Sequence, residues 1–294
     1  MADAIGILGT GRMGAAMGRR LAAQGTAPVV FDGAPAAVSA LVAQGARAAK
    51  SPAALAADVD VVVLSLPRSA DVESILPGPD GLLAGLRSGA LVLDTTSGEP
   101  SASARVAERV GARGASYLDA GVSGGVAGAE AGTLKIMVGG AVEAFARARP
   151  LLERLGQRIW HCGPAGTGHA MKTVLNLAAQ TKLMAEIESL ALGVRAGLDA
   201  HQVAEVLDLT VWQHFLLGPQ GRVPFQFALD LVGKDFDVAM RLAAEQGVPV
   251  PVTATAVQTM RAFRARAGGG ADLMAFVGLV EEQIGARLDG RTRD

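Results

Sequence analysis

The chain has 294 residues, half of them apolar, enough for one large core or two ordinary ones. Its formal net charge of −1, with no block of like charges, excludes a broad electrostatic lure for nucleic acid or anionic membrane. The single cysteine, Cys162, excludes an intrachain disulfide framework and a cysteine-built zinc site. The histidines His161, His169, His201 and His214 lack HExxH spacing, so no metal is expected.

Met1-Ala2-Asp3 leads straight into an apolar run with no basic segment before it, so no signal peptide is expected. Apolar runs such as Val59 to Leu66 are too short and interrupted to span a bilayer. The expectation is a soluble, reduced, cytoplasmic protein. At the far end, Arg287, Arg291 and Arg293 are offset by Asp289 and Asp294 and read as a solvated tail.

In chain order, Ala4–Leu8, Pro28–Phe31, Val59–Leu66, Ala90–Leu93 and Ser116–Leu118 read as strands. Met13–Gln24, Pro35–Ala43, Ala70–Leu76 and Ser101–Val110 read as the helices between them. The strand runs are continuously apolar, as in a parallel sheet covered on both faces, and the alternation predicts a doubly wound α/β domain of the Rossmann type. The texture changes near residue 163. From Ala170 to about Arg195 there is a helical stretch with no proline and one glycine, and no strand pattern returns after it. The expected division is a dinucleotide-binding domain over 1–163 and an all-α domain over 164–294, joined by that long helix.

Gly9-Thr10-Gly11-Arg12-Met13-Gly14 is a GxGxxG between a strand and a helix. In that context the first glycine permits the turn, the second lets a pyrophosphate approach the backbone, and the third lets helix and strand touch. The helix N-terminus then offers free N–H groups to phosphate. Asp32, eighteen residues after Gly14, stands where a carboxylate accepts from ribose hydroxyls and repels a 2′-phosphate. No arginine follows it at once, which favours NAD over NADP; a helix N-cap before Pro35 is a compatible reading. Leu66-Pro67 and Thr96 lie at strand ends, where open α/β sheets bind ligands. Thr96 is read as a contact to the nicotinamide half or as a cap of the helix near Pro100.

Asp119-Ala120-Gly121-Val122-Ser123-Gly124-Gly125 is read as an anion-binding nest for a small carboxylate, with Ser123 adding a hydroxyl, or as a flexible loop. After the turn Gly163 to Gly168 come Lys172 and Asn176, four residues apart and so on one helix face. Lysine is scarce in this chain, and Lys172 sits among apolar residues near a helix start. Burial and the positive helix end would both bring its amine toward working pH, as a general acid/base needs. The bland alternative is a snorkelling lysine.

These stations, in this order, resemble the β-hydroxyacid dehydrogenase family, of which 3-hydroxyisobutyrate dehydrogenase is a well-known type. The resemblance rests on Gly6 to Gly14, Asp119 to Gly125, Gly166-Thr167-Gly168 with Lys172 and Asn176, and Lys234-Asp235. It implies that Lys172 is the catalytic acid/base and that Asn176 orients the substrate. Ser123, Gly124 and Gly125 are implied to hold the carboxylate, and Phe227 to line the substrate pocket. Lys234 is implied to close over the cofactor, and Arg12 and Met13 to belong to the cofactor turn. A homodimer or homotetramer is implied as well. Substrates of this class are 3-hydroxyisobutyrate, 3-hydroxypropionate, glycerate-type acids and serine.

There are departures. Asp237-Val238 stands where the family has leucine, and residues 210–226, with Trp212 and His214, match no family pattern. His169 resembles the Gly-His-x-x-Lys arrangement of 6-phosphogluconate dehydrogenases, although a solvated or packing role is expected. Two other functions fit the architecture. An imine reductase is disfavoured by Lys172 and Asp32, and a non-catalytic NAD-binding module by the intact Lys172, Asn176 and Ser123.

Overall fold

The computed structural model describes residues 3–289, in two compact units that divide between Lys172 and Thr173. In the first unit the elements run β1 (Ile5–Leu8), α1 (Arg12–Ala23), β2 (Val29–Phe31), α2 (Pro35–Val42), β3 (Arg47–Ala48), α3 (Pro52–Asp58) and β4 (Val61–Leu64). They continue with α4 (Ser69–Ser74), α5 (Leu82–Gly85), β5 (Leu91–Asp94), α6 (Pro100–Gly111), β6 (Ser116–Ser123), α7 (Gly125–Ala131), β7 (Leu134–Gly139), α8 (Val142–Leu155) and β8 (Gly156–Gly163). The strands form one eight-stranded sheet in the order β3-β2-β1-β4-β5-β6-β7-β8. All neighbours are parallel except β6 and β7, which are antiparallel.

The two faces follow from the two-residue period of a strand. Ile5, Ile7, Val61, Val63, Leu91 and Leu93 join Met17 and Leu21 of α1 and Leu152 of α8 in one core. Leu8, Val62, Leu64 and Val92 join Leu55 of α3 and Val106 of α6 in the other. Each such side chain contributes about 1.5–3 kcal/mol on burial, which is why β4 and Leu91–Leu93 of β5 are apolar on both faces. The strand order reverses between β1 and β4, which places the turn after β1 at the crevice where such sheets bind ligands. The sequence reading missed β3, β7, β8, α3, α5, α7 and α8, and it ended β6 five residues early.

The division between the units falls inside α9 (Thr167–Arg195). The second unit continues with α10 (Ala200–Val206), α11 (Thr210–Phe215), α12 (Leu229–Glu245), α13 (Pro251–Ala267) and α14 (Met274–Ile284). Asp199 caps α10 by accepting from Gln202 N at 2.9 Å, and Pro251 starts α13 where its missing N–H costs nothing. Ile187, Leu190, Trp212, Phe236, Phe263 and Phe276 centre this unit's core. The solvated-tail expectation fails at Asp289, which is buried: Arg287 reaches it at 2.5 Å, and Arg222 bonds both Asp289 and the buried Glu281. Arg291, Arg293 and Asp294 lie outside the described residues. No helix among the described residues is long and apolar enough to cross a membrane.

Candidate active site

The turn after β1 has three glycines with three different environments. Gly9 has φ of 95°, and a Cβ on it would lie 2.3 Å from Ser65 O. A Cβ on Gly14 would lie 1.9 Å from Gly9 O, so strand end and helix touch through backbone there. A Cβ on Gly11 would meet nothing within 4 Å. Protein packing therefore does not demand glycine at position 11, and the bare backbone leaves room for a ligand to approach. Gly11 is also the N-cap of α1 and supplies no side-chain cap, so the helix end is left for an anion. The turn fits a dinucleotide pyrophosphate. Arg12 opens α1 and is exposed, while the half-buried Met13 packs on the core.

Asp32 follows β2 directly. Its Oδ2 accepts from Thr10 N at 2.7 Å and Thr10 Oγ1 at 3.3 Å, and its Oδ1 accepts from Ala34 N at 2.8 Å. The carboxylate is thus fixed beside the glycine turn. It is not the N-cap of α2, a position held by Ala34. Thr96 is not a cap either, because α6 begins after Glu99. Thr96 is buried, donates its N–H to Asp94 Oδ1 at 3.0 Å, and accepts from Leu66 N at 3.2 Å. It thereby ties the segment before Pro67 to the end of β5.

β6 runs through Ser123, so the supposed loop from Asp119 is a strand, and the turn begins only at Gly124, with φ of 134°. Asp119, Gly121 and Ser123 share one face of this strand. Asp119 is fully buried; its Oδ1 accepts from Gly166 N and its Oδ2 from His169 N, both at 2.7 Å. A Cβ on Gly121 would lie 2.5 Å from Lys172 Cβ, so the lysine sits where a side chain of β6 would stand. Lys172 is half-buried rather than buried, with Met171 and Val174 exposed beside it. The positive field of the helix start is offset by the Asp119 carboxylate.

His169 is buried and not solvated. Its Nδ1 lies 2.7 Å from Ser103 Oγ, and its Nε2 lies 3.3 Å from Asp94 O. Below it, Tyr117 donates its hydroxyl to Asp94 Oδ2 at 2.8 Å. Burial first, and then the charge of Asp94, hold that phenol well above its ordinary 10.0.

In the second unit Asn176 Nδ2 donates to Asp235 Oδ2 at 2.7 Å, and Gln180 Nε2 approaches the same oxygen at 3.4 Å. Lys234 Nζ lies 3.5 Å from Asp235 Oδ1. Asp235 therefore fixes the rotamer of Asn176 and leaves its amide oxygen for another partner. Phe227 is half-buried, and its N–H is taken by Asp272 Oδ2 at 3.1 Å; Asp272 Oδ1 takes Phe225 N at 2.9 Å. Trp212 is fully buried in the core, stacked edge-on against Phe225 at 5.6 Å, while His214 meets Phe215 at 4.7 Å. The sequence reading gave no role to Asp94, Asp119 or Asp272. The signal for the first two is an acidic residue set directly after a buried apolar run, Leu91–Leu93 and Tyr117-Leu118, where an unsatisfied carboxylate is costly.

A family model described as the NAD binding domain of 6-phosphogluconate dehydrogenase matches residues 4–163, and one described as NAD-binding of NADP-dependent 3-hydroxyisobutyrate dehydrogenase matches 166–280. The chain is 35% identical to 2-(hydroxymethyl)glutarate dehydrogenase of Eubacterium barkeri, over 97% of each chain. It is 38% identical to 3-hydroxyisobutyrate dehydrogenase of Pseudomonas aeruginosa, over 86% of this chain and 89% of that one. Among solved structures it resembles 3-hydroxyisobutyrate dehydrogenase of Mycobacterium tuberculosis with L-serine, at TM-score 0.86 and 30% identity, over 96% of this chain and 99% of that one. Solved imine reductases, at 21% identity or less, share the fold.

Proposed function

The chain belongs to the β-hydroxyacid dehydrogenase family, and on that premise we propose that Lys172 is the general acid/base for the reversible oxidation of a small 3-hydroxy acid to its semialdehyde or keto acid. It is an NAD(P)-dependent oxidoreductase acting on the CH–OH group of its donor. The nicotinamide, when bound, supplies the hydride acceptor. Gly9, Gly11 and Gly14 receive the pyrophosphate, with Arg12 and Met13 in the same turn. Asp32 takes the ribose hydroxyls, which favours NAD over NADP. Leu66, Pro67 and Thr96 border the nicotinamide half, and Lys234 closes on the cofactor. Residues 1–163 are assigned to the cofactor and 164–294 to substrate and dimerisation.

Ser123, Gly124 and Gly125 hold the substrate carboxylate. Lys172, as the neutral amine, takes the hydroxyl proton in oxidation; as the ammonium it returns that proton to the carbonyl oxygen in reduction. Asn176, held by Asp235, orients the substrate, and Phe227 lines its pocket. One observation carries the reading: Gly121 and Ser123 share a face of β6, and the Lys172 Cβ occupies the place of the missing side chain at Gly121. Two residues span about 7 Å of strand, so the stem of Lys172 can bring its amine to a hydroxyl whose carboxylate rests on Ser123.

3-Hydroxyisobutyrate, 3-hydroxypropionate, glycerate and serine are the substrates to try. A homodimer or homotetramer is part of the proposal, supported by apolar exposure along α9, where Leu192 is 73% exposed. A cytoplasmic place of action completes it. The test follows reduced nicotinamide with this panel of acids, with NAD and NADP in parallel. The reading expects at least one acid to be oxidised, faster with NAD. No oxidation of any acid, with NAD binding retained, would contradict it.

A further inference from the structure

We propose that Asp119 is a positioning residue for this reaction, acting through the first turns of α9 to set where Lys172 stands. The inference rests on the proposed role of Lys172. An ordinary helix start is capped by a neighbouring Ser, Thr, Asn or Asp. Here the cap comes from a strand, 47 residues from Gly166 and 50 from His169 in sequence. A local cap would satisfy the helix N–H groups equally well, but it would not tie the helix to β6. The two carboxylate oxygens take one N–H each, at Gly166 and His169, and so fix both the height and the rotation of the turn. Lys172 follows His169 by three residues, less than one turn.

The neighbourhood is cleared for that carboxylate. A Cβ on Gly139 would lie 2.5 Å from Asp119 Oδ1, and a Cβ on Gly168 would lie 2.5 Å from both Asp119 O and Met137 O. A Cβ on Gly121 would displace Lys172 itself. Three glycines therefore let α9 descend until Asp119 can reach its N–H groups and Lys172 can rest on the strand that ends in Ser123. A fully buried carboxylate is costly unless paired or hydrogen-bonded. Charge-assisted bonds to a helix N-terminus offset that cost. Asp119, borne on the strand that ends in Ser123, thus fixes how far Lys172 of α9 stands from the carboxylate clamp.

The experiment compares wild type with Asp119→Asn, which keeps size but opposes one N–H with an amide donor, and with Gly121→Ala, which leaves the cap and moves the lysine. Rates are taken per folded molecule, well below the melting point, and amide exchange at Gly166 and His169 is followed alongside. For Asp119→Asn kcat is expected to fall roughly 30- to 100-fold, as for a displacement near 1 Å, with KM for the acid within about threefold. Exchange at the two amides should quicken roughly tenfold or more. Gly121→Ala should lose a similar factor in kcat while both amides stay protected. Unchanged kcat in Asp119→Asn, or a loss lying wholly in KM or in the folded fraction, overturns the proposal. Unchanged exchange overturns it as well, whatever the rate does. A wild type inactive on every acid overturns the assigned reaction instead, and the exchange experiment, which needs no turnover, tells that outcome apart.

Discussion

Two helix starts that lie beside glycines, those of α1 and α9, are built in opposite ways. After β1, Gly11 faces open space and the start of α1 has no side-chain cap. Against β6, the spaces left by Gly121 and Gly168 are filled by Lys172 and by backbone, and the helix N–H groups are taken by Asp119. An open, uncapped helix end suits a ligand's anion; a filled, capped one suits the placement of a side chain. The same residue type and the same helix dipole thus serve binding in one case and catalytic geometry in the other.

Substitutions that separate the two designs follow, from the largest effect to the smallest. Gly14→Ala puts a Cβ 1.9 Å from Gly9 O, a backbone atom that cannot step aside. It should cost at least about 3 kcal/mol of stability and abolish detectable NAD binding. A variant that melts and binds like wild type would break the comparison. Gly11→Ala meets no protein atom. Its stability should stay within about 0.5 kcal/mol, while its NAD dissociation constant rises roughly tenfold or more. Calorimetric titration beside thermal melts reads both. A stability loss with unchanged affinity would make Gly11 a structural glycine.

The substitution with the least expected effect on turnover concerns Asp94, which receives Thr96 N–H and Tyr117 hydroxyl and whose carbonyl faces His169. The folded Tyr117 phenol is held well above its ordinary 10.0, chiefly by burial and then by Asp94. An unfolded tyrosine ionises near pH 10, so this group's contribution to stability is present below that pH and is lost as pH rises toward the folded value. Tyr117→Phe should cost about 1–3 kcal/mol at neutral pH by leaving Asp94 Oδ2 short of a donor. It should also flatten the decline in stability above about pH 10. Denaturant midpoints from pH 8 to 11 would show it, and an alkaline decline as steep as in wild type would contradict the assignment.

What could be read from the sequence was what is local in the chain. The strand, glycine turn and helix from Ile5 to Ala23 are contiguous, and Asp32 stands one βα unit further on. Lys172 and Asn176 are linked by helical period alone. The fold class was legible for the same reason, through apolar runs such as Val61–Leu64. β7 escaped because Lys135 interrupts its apolar run, and β8 because it is half-exposed and follows α8 directly. Gly121 was misread as a loop signal: glycine inside a strand often marks the close approach of another element, here the Cβ of Lys172. The cap by Asp119 depends on partners 47 and 50 residues away, and the grip of Asp235 on Asn176 spans 59. No local pattern encodes such distances.

The most direct test of the central claim is the rate of NAD reduction by Lys172→Ala with the best acid of the panel. The account predicts a fall in kcat of roughly a thousandfold or more, the scale of a lost general acid/base, with the NAD dissociation constant close to that of wild type. Turnover near the wild-type rate would show that the proton leaves through another group, and the assignment of Lys172 would fall.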